Sequence, residues 1–250
     1  MKKFTLLLIF SFFISTGVVF AQSPEEIYRK ANINYENEDY EKAVSLYEML
    51  LKIDRVGPEV FYNLGNSYFK LKKIGRAIVN YRRALRLAPG DRDISHNLKL
   101  ARAMTVDKIE RPEKGFLVKA LLLPYDSMNI DQLTIFVSMA YLCIVTLLIV
   151  SIFFAARRRG LFYAVGTLAA ILIVFFIFLA SKIRAKNSKE AVVVVDSVDA
   201  RSGPKEDYLL QFTLHEGSEI RIVEDAQDWR EIDLSKDLRG WIPKDSVEAI

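Results

Sequence analysis

The sequence predicts a multidomain membrane protein with three parts: an α-helical repeat domain, two transmembrane helices and a small all-β domain. Three observations carry this. Apolar residues gather into blocks at 4–21, 133–156 and 161–180, each free or nearly free of charge, where a soluble core would scatter them periodically. The stretch 24–91 repeats itself at a shift of 34 residues. From residue 191 the texture changes to short β-branched and alternating runs separated by turn signals.

The first block follows Lys2 and Lys3 and ends in VVFAQS, with small or apolar residues at Val19 and Ala21. A basic start, an apolar middle and an A-x-A-like end make 1–21 a signal peptide, cut after Ala21. Left uncut, the same segment is a first span, and the sidedness of everything downstream is unchanged. No cysteine stands at the cut, which argues against a lipid anchor. The single cysteine, Cys143, lies inside an apolar block, so the sequence offers no intramolecular disulfide and no cysteine-based metal site.

The net charge of +4 conceals a segregation. From residue 191 onward seven Lys/Arg stand against fourteen Asp/Glu, a net of −7, whereas 22–121 carries nineteen against fourteen, a net of +5. A mildly basic front and an acidic tail lack the dense basic patch that nucleic acid requires.

The repeat domain covers 22–112, in copies 24–57 and 58–91. The shift places Pro24 on Pro58, Ala31 on Gly65, Asn32 on Asn66, Ala43 on Ala77 and Tyr47 on Tyr81. The small residues let paired helices approach closely, the tyrosines fill the gap toward the next pair, and Pro89-Gly90 stops a helix. Each helix pair exposes an apolar face until a neighbour covers it. The run DISHNLKLARAM (93–104) is therefore read as a capping helix, with Ile94, Leu98 and Ala101 on one face and Asp91 or Asp93 near its N-cap.

A period of 34 is that of tetratricopeptide repeats, and the second copy resembles that family at Phe61, Leu64, Gly65, Tyr68, Ala77, Tyr81, Ala84 and Pro89. The first copy departs from it at Lys30, Asn34 and Arg55. The resemblance implies a peptide-binding groove faced by Tyr28, Asn32 and Tyr35, then by Tyr62, Asn63, Asn66 and Phe69. Some relatives grip a C-terminal carboxylate with a Lys/Asn clamp. Asn32 and Asn63 match it, but Tyr28 and Asp93 stand where its lysines belong, so no clamp is expected. For any single tyrosine, packing between helices competes with a binding role.

A juxtamembrane connector (113–132) follows. Its segment EKGFLVKALLLPYD reads either as an amphipathic turn in the interface or as a packed linker. The blocks 133–156 and 161–180 are 24 and 20 residues long without a charge. At 1.5 Å per residue each crosses a hydrocarbon core of about 30 Å. The alternative, a helix pair inside a soluble core, would demand more than forty nearly consecutive buried residues. Only Arg157, Arg158, Arg159 and Gly160 separate the blocks, which makes 157–160 an Arg-rich turn and the two spans a hairpin. Two spans place both flanking domains on one side. Three turn arginines are outweighed by six cations at the other ends (Lys114, Lys119, Lys182, Arg184, Lys186 and Lys189), and the export signal sends the front domain across. The domains are thus expected outside the cytoplasm.

After a basic linker (181–190), the tail (191–250) reads as several short strands: AVVVV, YLLQFTL, EIRIVED, DWREIDL and GWIPKDSVEAI, parted by Ser202-Gly203-Pro204, Glu216-Gly217 and 237–240. VDARSGP, LHEG, Trp229 and GWIP resemble the bacterial SH3-like domain, which implies a small barrel. Trp229 and Trp241 are read as core or rim packing rather than ligand stackers.

Reactive constellations do not emerge. His96 and His215 fall in different domains without metal-spaced partners, and no G-x-S-x-G, Walker A, H-E-x-x-H or paired-cysteine motif occurs. No enzyme and no cofactor is expected. The order of signal, tetratricopeptide pair, hairpin and SH3-like domain, with the wording NLKLARAMTVDKIERP, resembles the bacterial BatE family of aerotolerance operon proteins. That resemblance implies a membrane-anchored scaffold linked to oxidative stress tolerance, working beside membrane proteins with von Willebrand A domains and a MoxR-type AAA+ ATPase. A second expectation is an envelope sensor whose SH3-like domain binds cell-wall peptide or glycan.

Overall fold

The computed structural model describes residues 23–53, 56–107, 115–235 and 238–250. The segment 1–21 read as a signal peptide, Arg55 and Lys114 lie outside them. Among the described residues five helices come first: α1 (Pro24–Glu36), α2 (Tyr40–Leu51), α3 (Pro58–Lys70), α4 (Ile74–Leu87) and α5 (Arg92–Ala103). Their starts are chemically marked. The Ser23 hydroxyl accepts from the Glu26 amide ahead of Pro24, and Asp39 caps α2 through the Lys42 amide. Asp91 caps α5 through the amides of Asp93 and Ile94, which settles the cap in favour of Asp91.

The 34-residue period reaches the backbone. Glu38 and Lys72, one period apart, both adopt φ near +60° (62° and 63°) in the turns that reverse α1 into α2 and α3 into α4. Ala31, Ala43, Ala77 and Ala84 are wholly buried between the helices. A Cβ on Gly65 would stand 2.7 Å from the Tyr81 ring, so the glycine creates the space the tyrosine fills.

The chain then runs through α6 (Phe116–Ser127), α7 (Ile130–Phe153), a 3-10 turn (Ala155–Arg157) and α8 (Arg158–Lys186). Both α7 and α8 are long and apolar enough to cross a membrane. Only 11% and 6% of their most apolar stretches are buried, against the near-complete burial that a soluble core pair requires. They pack on each other through rings such as Phe136 and Phe175, stacked 4.1 Å apart. The reversal falls at Phe154–Arg157 rather than at 157–160: Arg158, Arg159 and Gly160 already form the first turn of α8. Helical hydrogen bonding continues past the charge boundary at both ends of α8, so Lys182, Arg184 and Lys186 also belong to the helix rather than to a linker. No residue of α6 is buried.

Seven strands complete the chain: β1 (Glu190–Val193), β2 (Ser197–Arg201), β3 (Leu210–His215), β4 (Glu219–Ala226), β5 (Trp229–Ser235), β6 (Leu238–Pro243) and β7 (Val247–Ala249). They pair antiparallel in the order β3-β2-β6-β5-β4-β1-β7 around a core that includes Val193, Ala200, Ile232 and Ile242. The expected barrel is not closed. β3 and β7 stand at opposite edges, and β2 meets β6 through the single register pair Arg201–Trp241. The edge at β7 is turned to another use: Arg83 binds Glu248 (2.8 Å) and the Ala249 carbonyl, and Arg86 binds the Ile250 carbonyl (2.5 Å). Trp229 and Trp241 are half-buried at the rim.

The sheet docks on the helices, which the sequence left unread. Val192, Val194 and Ile250 join the helical core. An arginine stripe on α4 and α5 meets the carboxylates of the acidic tail. Arg102 makes a two-pronged bond to Glu219 (2.6 and 3.0 Å), and Arg82 pairs with Glu190 and more distantly with Glu219 (3.6 Å). The loop 215–218 latches at two points. Glu216 accepts the Gly75 amide (2.9 Å), capping an α4 start that has no side-chain cap of its own. Asp107 accepts from the His215 amide (2.8 Å) and the Ser218 hydroxyl, with the His215 ring 3.0 Å away. Burial pushes the two latch carboxyls up. It wins at Glu216, which ends above the usual carboxylate range; at Asp107 the Ser218 and His215 bonds overcome it and hold the group below that range.

Candidate functional site

The concave face of the helical array is built on an asparagine–tyrosine ladder that occurs twice, one period apart. In the first rung the Tyr47 hydroxyl donates to Asn32 Oδ1 (2.5 Å), while Asn63 Nδ2 donates to Asn32 Oδ1 (3.2 Å) and to the Tyr28 hydroxyl (3.1 Å). In the second, Tyr81 donates to Asn66 Oδ1 (2.8 Å), while Asn97 Nδ2 donates to Asn66 Oδ1 (2.9 Å) and to Tyr62 (3.1 Å). The ring pairs Tyr28–Tyr47 and Tyr62–Tyr81 each stand 6.1 Å apart. Each rung ties the first helix of one unit to its own second helix and to the first helix of the next. The polar bonds therefore set the spacing that the small buried residues permit.

Residues 58–91 match the family model described as Tetratricopeptide repeat, and residues 31–72 match one described as TPR repeat. The front domain is built of tetratricopeptide repeats. No curated protein matches the chain. Within these repeats α5 stands where the first helix of a third unit would stand, because Asn97 takes the part that Asn63 plays one period earlier.

The second rung walls a groove with a cavity of about 280 Å³, lined by Tyr35, Tyr62, Asn66, Phe69, Tyr81 and Asn97, together with Lys70 and Leu100. Of the positions the sequence singled out, Tyr35, Tyr62, Asn66 and Phe69 converge here. Tyr28, Asn32 and Asn63 do not line it; they lie in the rung above, half-buried. The amide donors of Asn63 are spent on Tyr28 and Asn32. Arg157, Arg158 and Arg159 sit far from the groove along the chain, at the reversal between α7 and α8, where the Arg158 guanidinium lies 5.4 Å over the Phe162 ring.

Sequence reasoning missed Asn97, Lys70 and Leu100. The signal for Asn97 was present: it stands 34 residues after Asn63, beyond the point at 91 where the second copy was ended.

The groove offers aromatic faces, amide dipoles and one ammonium. Burial raises the phenols of Tyr35, Tyr47 and Tyr81, which keeps them neutral hydroxyls that donate and accept. The side chain of Phe69 and the outer part of Leu100, which is 45% exposed, are free to take an apolar side chain, and the polar ladder behind them is already internally satisfied. Such a surface offers shape and apolar contact rather than charge. The β sheet packs on a different face of α4, the one carrying Gly75, Arg82 and Arg86, so docking leaves the groove open.

Proposed function

We propose that the protein is a non-enzymatic, membrane-anchored adaptor. Its repeat groove holds a segment of a partner protein while the α7–α8 hairpin fixes the complex in the membrane. One observation carries the reading: the groove is preformed by the second rung of the ladder and stays open while the sheet occupies a different face of α4. The sheet is read as an SH3-like domain left open at one seam. It serves to brace the repeats, and the charge segregation between the front and the tail serves that contact.

By resemblance to the BatE family, the partners are membrane proteins with von Willebrand A domains that work with a MoxR-type ATPase, in a complex tied to oxidative stress tolerance. The paired replacement Tyr62→Ala with Phe69→Ala removes two aromatic walls and should weaken partner capture at least tenfold, as loss of central interface aromatics does. Crosslinking of the full chain in native membranes reads this. Undiminished recovery of the same partners by the double variant would sink groove binding.

Both soluble parts are placed on the extracytoplasmic side of a bacterial inner membrane. The support is the export signal read at 1–21 together with the hairpin, which returns the chain to the side it left. An alkaline phosphatase fused after Ile250 should be active. A phosphatase that stays inactive there, beside a fluorescent fusion that glows, reverses the orientation.

A further inference from the structure

We propose that the cavity between the end of α4, the α6–α7 corner and the end of α8 binds the phosphate headgroup of an anionic phospholipid. This rests on the reading of α7 and α8 as membrane spans. The cavity encloses about 550 Å³ and is the meeting point of three parts that the sequence keeps far apart. Five cations line it: Arg82, Arg83 and Arg86 from α4, and Lys182 and Lys186 from α8. The carboxylates in its wall are Asp131 and Glu190.

The arginines are engaged with Glu190, Glu219 and Glu248. Lys182 and Lys186 form no ion pair among the described residues. The Lys182 ammonium is instead held 4.8 Å over the Tyr125 ring, at the cavity wall. The corner is braced, since the Asn129 amide that caps α7 also donates to the Leu87 carbonyl at 3.0 Å.

Position selects the ligand. α7 begins at Ile130, and the charge-free stretch of the second span ends at Ala180, so Asp131 on one helix and Lys182 and Lys186 on the other mark the level where hydrocarbon gives way to headgroups. At that level two ammonium groups without a direct salt bridge, Lys186 and the Lys182 that Asp126 approaches from α6, suit a phosphodiester monoanion in a concave wall. The other half of the wall is apolar, with Leu85, Leu87, Ile130 and Ala185. From Tyr125 the helix α6 leads away with Phe116, Leu117, Leu121 and Leu123 between 64% and 82% exposed, a surface for acyl chains. Free phosphate would use the lysines and leave this apolar half idle.

The test uses the full chain in nanodiscs of phosphatidylcholine and phosphatidylglycerol, with the lipid retained on release read by native mass spectrometry. Phosphatidylglycerol should be retained in preference, and Lys182→Gln with Lys186→Gln should lower that retention roughly tenfold. Arg158→Gln with Arg159→Gln, at the other end of the hairpin, should not. Equal loss in both double variants would reduce the effect to general surface attraction and overturn the site. So would retention indifferent to headgroup, or inorganic phosphate that displaces the lipid. Alkaline carbonate extraction of native membranes separates the two readings. A chain released by carbonate defeats the spanning reading. A chain that stays while showing no headgroup preference defeats the lipid site alone.

Discussion

Replacing Gly75 with alanine should release the sheet from the repeats while leaving α4 intact. Gly75 lies in the first turn of α4, where alanine is the better helix former by about 0.5–1 kcal/mol. Considered alone, the helix gains. The seam does not, because the new Cβ would stand 2.2 Å from the Val193 carbonyl oxygen and 3.1 Å from Glu216 Cγ. The first of these is backbone and cannot rotate away. That carbonyl is also held in place, since it accepts the Gly217 amide at 2.9 Å. Gly217 is itself pinned at φ +89°, with Thr105 pressed where its own Cβ would be. The clash must therefore be relieved by moving the whole latch, which also strips Glu216 from the α4 start. Overpacking of this kind costs about 1–3 kcal/mol, enough to shift the ratio of docked to undocked chains by roughly 5- to 150-fold. Spin labels on exposed Ser95 and Lys205 should report one narrow distance in the parent chain and a broad distribution in Gly75→Ala, at unchanged helical circular dichroism. Unchanged distances would mean that the seam is not held where the structure places it.

What the sequence disclosed follows from the range over which each signal acts. The repeats were legible because their spacing is local and doubled: Ala31, Ala43, Gly65 and Ala77 recur in register, and the helices form where that register puts them. The hairpin was legible because a block of uninterrupted apolar residues leaves few alternatives. Its turn was misplaced because charge marks where water begins, whereas the helix ends where hydrogen bonding fails, at Phe154. The strands were legible from alternation, but closure depends on whether the edge strands β3 and β7 meet, which no local pattern announces. The docking seam joins Gly75 to Glu216 and Arg83 to Glu248, residues more than 140 positions apart. Its one trace in the sequence was the opposite net charge of the two soluble parts. Of the residues read as groove-facing, Tyr35, Tyr62, Asn66 and Phe69 line the cavity. Asn97 was lost because 93–104 was taken as a cap instead of being continued in the 34-residue register.

A charge reversal at Glu219 should open the same seam by a different force. Glu219 is the least exposed carboxylate among the contact's arginine pairs, at 11% of its side-chain surface, and it faces both Arg102 and Arg82. Glu219→Arg puts three guanidinium groups together and removes the acceptor of the two-pronged bond. Breaking a fully buried pair costs about 3–5 kcal/mol. Arg82 and Arg102 keep 25% and 29% of their side-chain surface in water, which screens part of that, so a loss of about 2–3 kcal/mol is expected. The partner change Arg102→Glu should then recover part of it when combined with Glu219→Arg, since the pair is restored with its charges exchanged and Arg82 retains Glu190. The recovery should be incomplete, because the planar fork of Arg102 approaches Glu219 along a geometry that the exchanged side chains do not reproduce. The same labels on Ser95 and Lys205 read all three chains, and the double-mutant cycle isolates the coupling. Costs that merely add would show that burial of Val192, Val194 and Ile250 holds the seam and that the arginine stripe is a bystander. A positive coupling that shrinks as salt is raised would show that the charges of the two soluble parts are segregated in order to dock them.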